Sequence, residues 1–344
     1  MNDMEKVRKD GEALRWLVLL GVEHAVDFGL DFRDELRTMG HEVRTFAYRR
    51  ENVFYKNRTT KALYQRLILR RFERMAADWR PHLIVALKAS PISADVIERV
   101  RRRTGALVLN VFPDNPLLMM PFANIEPYDI FFTKDRYAMR QLELVGLRNV
   151  YYLPLYCVPT FHYPVDVPEA QAATLGKVAA LVGRHYPYRE RLVREIADLD
   201  VRVWGPGWRR VHDARIRARV AGGGVWGRDK LVIYSGAPLS LNPHHPLNDI
   251  VGVNIRAFEL AAAGACQAMD VKEDLAPLFK AGEEVLVYRS IAELRRHIEY
   301  YLAHPDEARA IGQNARRRAL AEHTLRHRID EILSAVRERF PGRT

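Results

Sequence analysis

Cysteine is nearly absent from this chain. Two in 344 residues, Cys157 and Cys266, are too few for a disulfide framework and form no metal-binding pattern. Long hydrophobic runs are missing as well. The longest early one, 16–20 with its neighbours, falls far short of the roughly 20 apolar residues of a membrane-spanning helix. The opening MNDMEKVRKDGEALR is polar, mixed in charge and not followed by an apolar segment with a small-residue cleavage site, so no secretory signal is expected. Acid is in deficit: 43 Asp and Glu face 54 Lys and Arg, a net charge of +11. Such a surplus favours anionic partners, whether nucleic acid, lipid headgroups or phosphorylated small molecules. The basic residues are spread along helical stretches such as QNARRRALAEHTLRHRIDEI, the pattern of a solvated helix surface. No zinc-finger spacing or aromatic–glycine signature accompanies them, so no nucleic-acid module is expected. With 48% hydrophobic residues a real core can form, and a soluble cytoplasmic protein is the expectation.

What is present is alternation. Short apolar runs (RWLVLLGVE, VRTFAY, HLIVALK, ALVLNVF, YDIFFT, VYYLPL) read as buried strands. Amphipathic helical stretches separate most of them, one marked by the stripe Tyr64, Ile68, Phe72, Met75 and Trp79, ended by Pro81. A Pro-rich linker at 156–170 interrupts the pattern. Alternation then resumes with KVAALVG, YRERLVREIADL, VRVWG, a helix expected over about 208–221, PLSLN and EEVLVY, before three closing helices. Two α/β halves with parallel sheets are predicted, with ligands at the carboxyl ends of the strands.

Most motif matches fail on context. GGGVWG at 222–227 satisfies G-x-G-x-x-G by letter, but it follows the helix-like RIRARVA, so the strand needed for a phosphate cradle is expected to be missing. His244 and His245 are adjacent and lack the one-face spacing of paired metal ligands. The segment 241–270, LNPHHPLNDIVGVNIRAFELAAAGACQAMD, survives. Its loop amides and helix start suit a phosphate, and Glu259 offers two oxygens to a ribose diol. Spacing alone leaves an equal alternative, an Arg256–Glu259 ion pair at i,i+3.

The same segment, followed by LFKAGEEVLVY and YLAHPDEARAIGQNARRRALAEHT, resembles glycosyltransferases of the GT-B fold, and is closest to the CgeB-type group with its N-x-R-x-F-E-x-A-x-x-G core. ALVGRHYPYRERLVREI, LIVALKASPIS, VLNVFPDNP and YDIFFTKDR extend the likeness over most of 80–330. The resemblance implies two Rossmann-like domains with parallel sheets facing across a cleft. An acceptor-side domain would span 1–160, a nucleotide-sugar domain 161–325, and a C-terminal helix at 326–344 would pack back on the first. Glu259 matches the ribose-binding acid. Gly183 and Arg184 match the turn near the diphosphate. Asn242, His244 and His245 fall in the loop over donor sugar and phosphate, while Asn254 and Arg256 flank the ribose. Gly21 ends the first acceptor-side strand, and His24 or Asp114 would be the general base of an inverting reaction. Many retaining members carry a second glutamate eight positions before the ribose acid; here Val251 stands there, with Asp249 close by, so the stereochemistry stays open.

The implied activity is sugar transfer from a nucleotide-sugar to a glycan, lipid-linked or protein acceptor in cell-envelope or surface polysaccharide synthesis, with no metal and no further cofactor. The positive charge suits peripheral association with the inner face of a membrane. A catalytically silent nucleotide-sugar-binding protein and a basic nucleic-acid-binding protein are the alternatives.

Overall fold

A computed structural model of the chain describes residues 13–21, 28–49, 57, 60–89 and 91–343. It divides into two compact units, Met1–Pro154 with Leu325–Thr344, and Leu155–Thr324.

Unit 1 holds strands β1 (Arg15–Leu20), β2 (Glu42–Ala47), β3 (Leu83–Leu87), β4 (Leu107–Phe112), β5 (Ile130–Thr133) and β6 (Val150–Tyr152). They form one parallel sheet in the order β2-β1-β3-β4-β5-β6. Every residue of β3, β4 and β5 is buried, as expected for a parallel sheet covered on both faces. Between the strands run α1 (Phe28–Thr38), α2 (Lys61–Trp79), α3 (Ala94–Thr104), the single turn α4 (Pro116–Met119) and α5 (Arg136–Leu144). The apolar stripe of α2 does what its spacing predicts. Ile68, Leu69, Phe72 and Ala76 are buried, with Tyr64, Met75 and Trp79 packed against the same core.

Unit 2 holds α6 (Glu169–Leu175), β7 (Ala179–Val182), α7 (Pro187–Glu195), β8 (Val201–Trp204), α8 (Ala214–Arg217), β9 (Val220–Gly222), α9 (Gly227–Gly236), β10 (Leu239–Leu241), α10 (Ile255–Ala262), β11 (Gln267–Asp270), β12 (Leu286–Tyr288), α11 (Ile291–Ala303) and α12 (Pro305–Glu322). Its strands are again all parallel, in the order β12-β11-β10-β7-β8-β9. The last helix, α13 (Leu325–Arg339), belongs to unit 1 and packs on α1.

The helix expected over 208–221 does not form. The segment is a 3₁₀ turn at Trp208–Arg210, the short α8, and then β9 paired with β8. Its physical cause is the glycine run that follows. A Cβ on Gly222 would lie 2.8 Å from Cδ1 of Trp204, so a bare backbone is what lets β9 reach its neighbour there. GGGVWG therefore follows a strand and opens α9, the context the sequence reading had expected to be missing.

Helix α12 approaches the end of α10 so closely that Gly312 has no room for a side chain. A Cβ there would lie 2.2 Å from the Gly264 carbonyl oxygen. Gly312→Ala should lower stability by about 1–3 kcal/mol through this overpacking, although alanine is the better helix former. Urea unfolding of the two proteins measures the difference, and an unchanged midpoint would contradict the close contact.

Candidate functional site

The order of the second sheet fixes where a ligand can sit. Chain progression runs outward from β7 to β8 and β9 on one side, and from β10 to β11 and β12 on the other. The β7/β10 junction is the topological switch point, where open α/β sheets leave a crevice beyond the strand ends. Gly183 directly follows β7, and Asn242 directly follows β10.

Two arginines converge at this point. A Cβ on Gly183 would meet Arg189 Nη1 at 2.9 Å and Arg256 Nη2 at 3.1 Å, so glycine leaves the turn open for both guanidinium groups. Arg189, from the first turn of α7, is 5% exposed. It donates to the carbonyls of Arg184 (2.9 Å) and, weakly, Pro243 (3.4 Å), and it lies over the rings of Tyr186 and Tyr188. Its Nε is buried without a partner. Among the described residues no carboxylate pairs with Arg189 or Arg256. Burial, and then the charge of Arg256, lower the Arg189 pKa to about 10. Two like charges meet here with no carboxylate in ion-pair contact among the described residues, although Asp249 and Glu259 act on them from further away, an arrangement complementary to an anion with several oxygens.

A polar network orients Arg256. Asn242, fully buried, exchanges amide hydrogen bonds with Asn254 (3.0 and 3.2 Å) and donates to Gln267 (3.0 Å). Gln267 in turn donates to the Ala257 carbonyl at 2.8 Å, and Asn254 caps α10 by accepting from the Ala257 N–H at 3.1 Å. Arg256 rests its guanidinium near Asn242 Oδ1, at 3.5 Å. The network thus ties β10, β11 and the start of α10 together beside the open turn.

Three residues further along α10, Glu259 finds partners of its own. It pairs with Lys230 of α9 at 3.0 Å and lies 3.7 Å from His162 Nε2. The Arg256–Glu259 pair offered by spacing is not among the ion pairs of the described residues. His162 Nδ1 accepts the Val158 N–H at 3.1 Å, so the neutral ring carries its proton on Nε2, toward Glu259. Burial pushes the Glu259 carboxyl up, but Lys230, His162 and Arg256 outweigh it and hold the group below its ordinary value. Glu259 is therefore an anchored, ionised acceptor with two oxygens, set in the same helix as Arg256.

The histidine loop is structural in part. His244 is buried; its Nδ1 and backbone N–H both meet Asp270 Oδ1, at 2.9 and 2.7 Å, while Nε2 has no partner among the described residues. Lys272 holds the other Asp270 oxygen at 3.2 Å. His245 stacks edge-on against Tyr186 and Tyr188, and its N–H donates to Asp249 at 2.9 Å. Arg184 is exposed, and what its backbone gives the site is the carbonyl that Arg189 grips. Among the described residues no cluster of three or more His, Cys, Asp or Glu is arranged to hold a metal.

Sequence reasoning overlooked Arg189, Lys230, His162 and Asp270. Arg189 carried a signal, since an arginine in YPYR next to a strand-ending glycine sits among aromatics. Lys230 follows the glycine loop that had been set aside, and His162 was hidden in the Pro-rich linker.

In unit 1 the matching switch point lies between β1 and β3. Gly21 ends β1, and His24 lies outside the described residues. After β3, Lys88 and Ala89 adopt left-handed backbone (φ 64° and 48°), a conformation costing about 1–3 kcal/mol each in a non-glycine residue. Tyr48 holds it in place, donating to Leu87 O at 3.0 Å and accepting from Ala89 N at 3.1 Å. The bend aims Lys88 at Asp114, just beyond β4, with which it forms an ion pair.

Residues 184–334 match the family described as glycosyl transferase-like. No curated protein sequence matches the chain. Among solved structures, sucrose-phosphate synthase from Thermosynechococcus elongatus superposes with a TM-score of 0.70 at 17% identity, over 95% of this chain and 99% of that one. A glycosyltransferase from Rickettsia africae gives 0.66 at 10% identity, over 96% and 99%. Anabaena HepE, solved in complex with UDP and glucose, gives 0.63 at 12% identity, over 94% and 100%. At these identities the likeness is one of fold, and the fold is GT-B: two Rossmann-like units, each built on a six-stranded parallel sheet.

Two measurements check this geometry. Replacing Arg256 by Met removes a repulsion from Arg189, so Arg256→Met should melt no lower than the parent protein yet bind inorganic pyrophosphate at least about tenfold more weakly. Calorimetry and a thermal melt read both; unchanged pyrophosphate affinity would show that Arg256 meets no anion. Acid should destabilise the protein in a defined window. Burial lowers the pKa of His41, His162 and His244, against the opposing pull of Glu259 on His162 and of Asp270 on His244. The unfolded chain then binds more protons, so stability is complete above the ordinary histidine value of about 6.5 and declines as pH falls below it. The melting temperature should drop between neutral pH and about 5.5, and less steeply in His162→Gln.

Proposed function

We propose that the chain is a glycosyltransferase that binds a nucleotide-sugar in unit 2 and transfers the sugar to an acceptor hydroxyl. The observation that carries this reading is the pair of guanidinium groups, Arg189 and Arg256, that converge on the open Gly183 turn with no ion-pair partner among the described residues. In such a transfer the bond from the sugar's anomeric carbon to the diphosphate breaks, a bond from that carbon to the acceptor oxygen forms, and the acceptor hydroxyl loses its proton. Negative charge grows on the departing diphosphate, and preorganised donors there lower the barrier. Arg189 and Arg256 take that role, with the open N–H groups at the start of α10 beside them. Glu259, kept charged by Lys230 and His162, accepts from the ribose hydroxyls. His244 and its Asp270 partner shape the loop beside the sugar, with Asn242 and Asn254 fixing Arg256.

The GT-B fold and the glycosyl transferase-like match at 184–334 support this reading. HepE in complex with UDP and glucose makes UDP the first nucleotide to test. A glycan, lipid-linked or protein acceptor in envelope or surface polysaccharide synthesis, in the CgeB-type manner, is the proposed setting, in the cytoplasm at the inner face of a membrane. Both cysteines are buried and neither forms a disulfide among the described residues, in keeping with a reducing compartment. On the acceptor side, Asp114 is engaged by Lys88, so it would serve as a base only after the acceptor displaces that ammonium. Val251, in the position of the second glutamate of retaining relatives, is buried and apolar. Asp249 is committed to the His245 N–H. These two residues favour a second reading, nucleotide-sugar binding without turnover.

Thermal unfolding with a panel of nucleoside diphosphates and pyrophosphate separates the parts. A nucleotide at 100 times its dissociation constant should add about 2.7 kcal/mol. Glu259→Ala should lose most of the gain from UDP while keeping that from pyrophosphate. A full UDP gain in Glu259→Ala would end the ribose assignment. Donor hydrolysis or transfer by the parent protein decides between catalyst and silent binder.

A further inference from the structure

Helix α2 of unit 1 carries an outer face unlike that of a solvated helix. Leu63 and Leu67, one turn apart, are 63% and 52% exposed. Around them stand the exposed Arg66, Arg70, Arg71 and Arg74, so the leucines lie within an arc flanked by guanidinium groups. None of these four arginines forms an ion pair among the described residues. Glu73, the acid between them, is taken by Arg99 of α3 at 2.7 Å. The opposite face of α2 is satisfied by the core, so nothing about folding requires leucines on this side.

A second apolar group sits on the same layer. Leu118, Met119 and Phe122 are 58%, 44% and 49% exposed in the segment after β4. Their neighbours Met120 and Ile125 share one core cluster with α2 and α3. The first residue of α3 donates its N–H to Asn124 at 3.2 Å, and α3 packs on α2. Helix α2 connects two parallel strands and so runs back against them. Its leucine-bearing first turns therefore lie at the carboxyl edge of the sheet, the edge from which the 116–125 segment also emerges. Two exposed apolar patches and a row of unpaired arginines occupy one edge of one layer.

We infer that this edge of unit 1 docks on an anionic lipid bilayer, with Leu63, Leu67, Leu118, Met119 and Phe122 entering the headgroup boundary and Arg66, Arg70, Arg71 and Arg74 meeting lipid phosphates. Charge complementarity selects this occupant: arginines without acids need an anionic surface, and leucines interleaved with them need an apolar layer directly beneath it. No described helix is long and apolar enough to cross a membrane, so the attachment is peripheral. Asp114 and Lys88 lie at the same edge, which brings the acceptor side of the proposed reaction to the lipid surface. The inference deepens the proposed function by naming the surface that presents the acceptor. It draws on no residue of the nucleotide pocket, so the two readings fail separately.

The native thiols are buried, so Leu67→Cys offers one accessible sulfur for an environment-sensitive fluorophore. The labelled full-length protein is mixed with vesicles of phosphatidylcholine alone or of phosphatidylcholine and phosphatidylglycerol in roughly equal parts. We expect co-sedimentation and a blue shift only with the anionic vesicles. Replacing Arg66, Arg70, Arg71 and Arg74 by Gln should weaken partitioning on the order of 100-fold or more. Leu63→Ser with Leu67→Ser should weaken it by at least about tenfold. An unaltered nucleotide-induced melting shift, or an unaltered far-ultraviolet spectrum if no nucleotide binds, confirms that each variant is folded. Co-sedimentation without a blue shift would place the contact elsewhere and overturn the inference. So would vesicle binding indifferent to the leucines, or salt-sensitive RNA binding that needs the arginines while vesicles are ignored.

Discussion

A guanidinium withdrawn from water with no carboxylate to meet it is the constraint on which the second unit turns. Taking such a charge out of solvent costs on the order of several kcal/mol unless something compensates. Arg189 obtains two carbonyls and two aromatic faces from the protein, which orient it but do not neutralise it. Arg256 stands beside it and makes the electrostatics worse. The surrounding structure over-determines the pair: Gly183 clears the space, Asn242 and Asn254 lock the start of α10, and Gln267 braces that lock from β11. Such rigidity lets the protein hold an otherwise unfavourable arrangement.

Glu259 is the counterpart of opposite sign. Lys230 and His162 compensate it from two other segments, so it remains ionised despite burial and does not collapse onto Arg256 three residues away. Keeping these charges apart along a single helix creates two chemical environments less than one turn apart. One favours phosphate oxygens and the other favours hydroxyl donors. A nucleoside diphosphate carries both groups in that order.

Much of the architecture was legible because parallel strands covered on both faces are predominantly apolar, and β1, β3 and β4 read that way despite Arg15 at the start of β1 and Asn110 within β4. The segment 208–222 was not, because the arginines and alanines of RIRARVA are good helix formers while its period-two alternation suits a strand, and the deciding pairing, Val203 with Val220, is made between residues distant in sequence. The same limit applies at the site. Asn254, Arg256 and Glu259 sit in one short helix, and their proximity is written in the sequence. Lys230, His162 and Asp270 approach from other elements, and nothing local announces them. Arg184 drew attention as the charged neighbour of Gly183, yet the backbone turn leaves its side chain exposed and α7 delivers Arg189 in its place.

The return of α13 to unit 1 imposes an order on biosynthesis. Unit 2 is one uninterrupted segment and can acquire its whole sheet as it leaves the ribosome. Unit 1 emerges earlier but waits, because the helix that covers α1 is translated after the whole of unit 2. Until α13 has been made, α1 is left with part of its apolar surface unclothed, and chaperone demand should fall on the half made first.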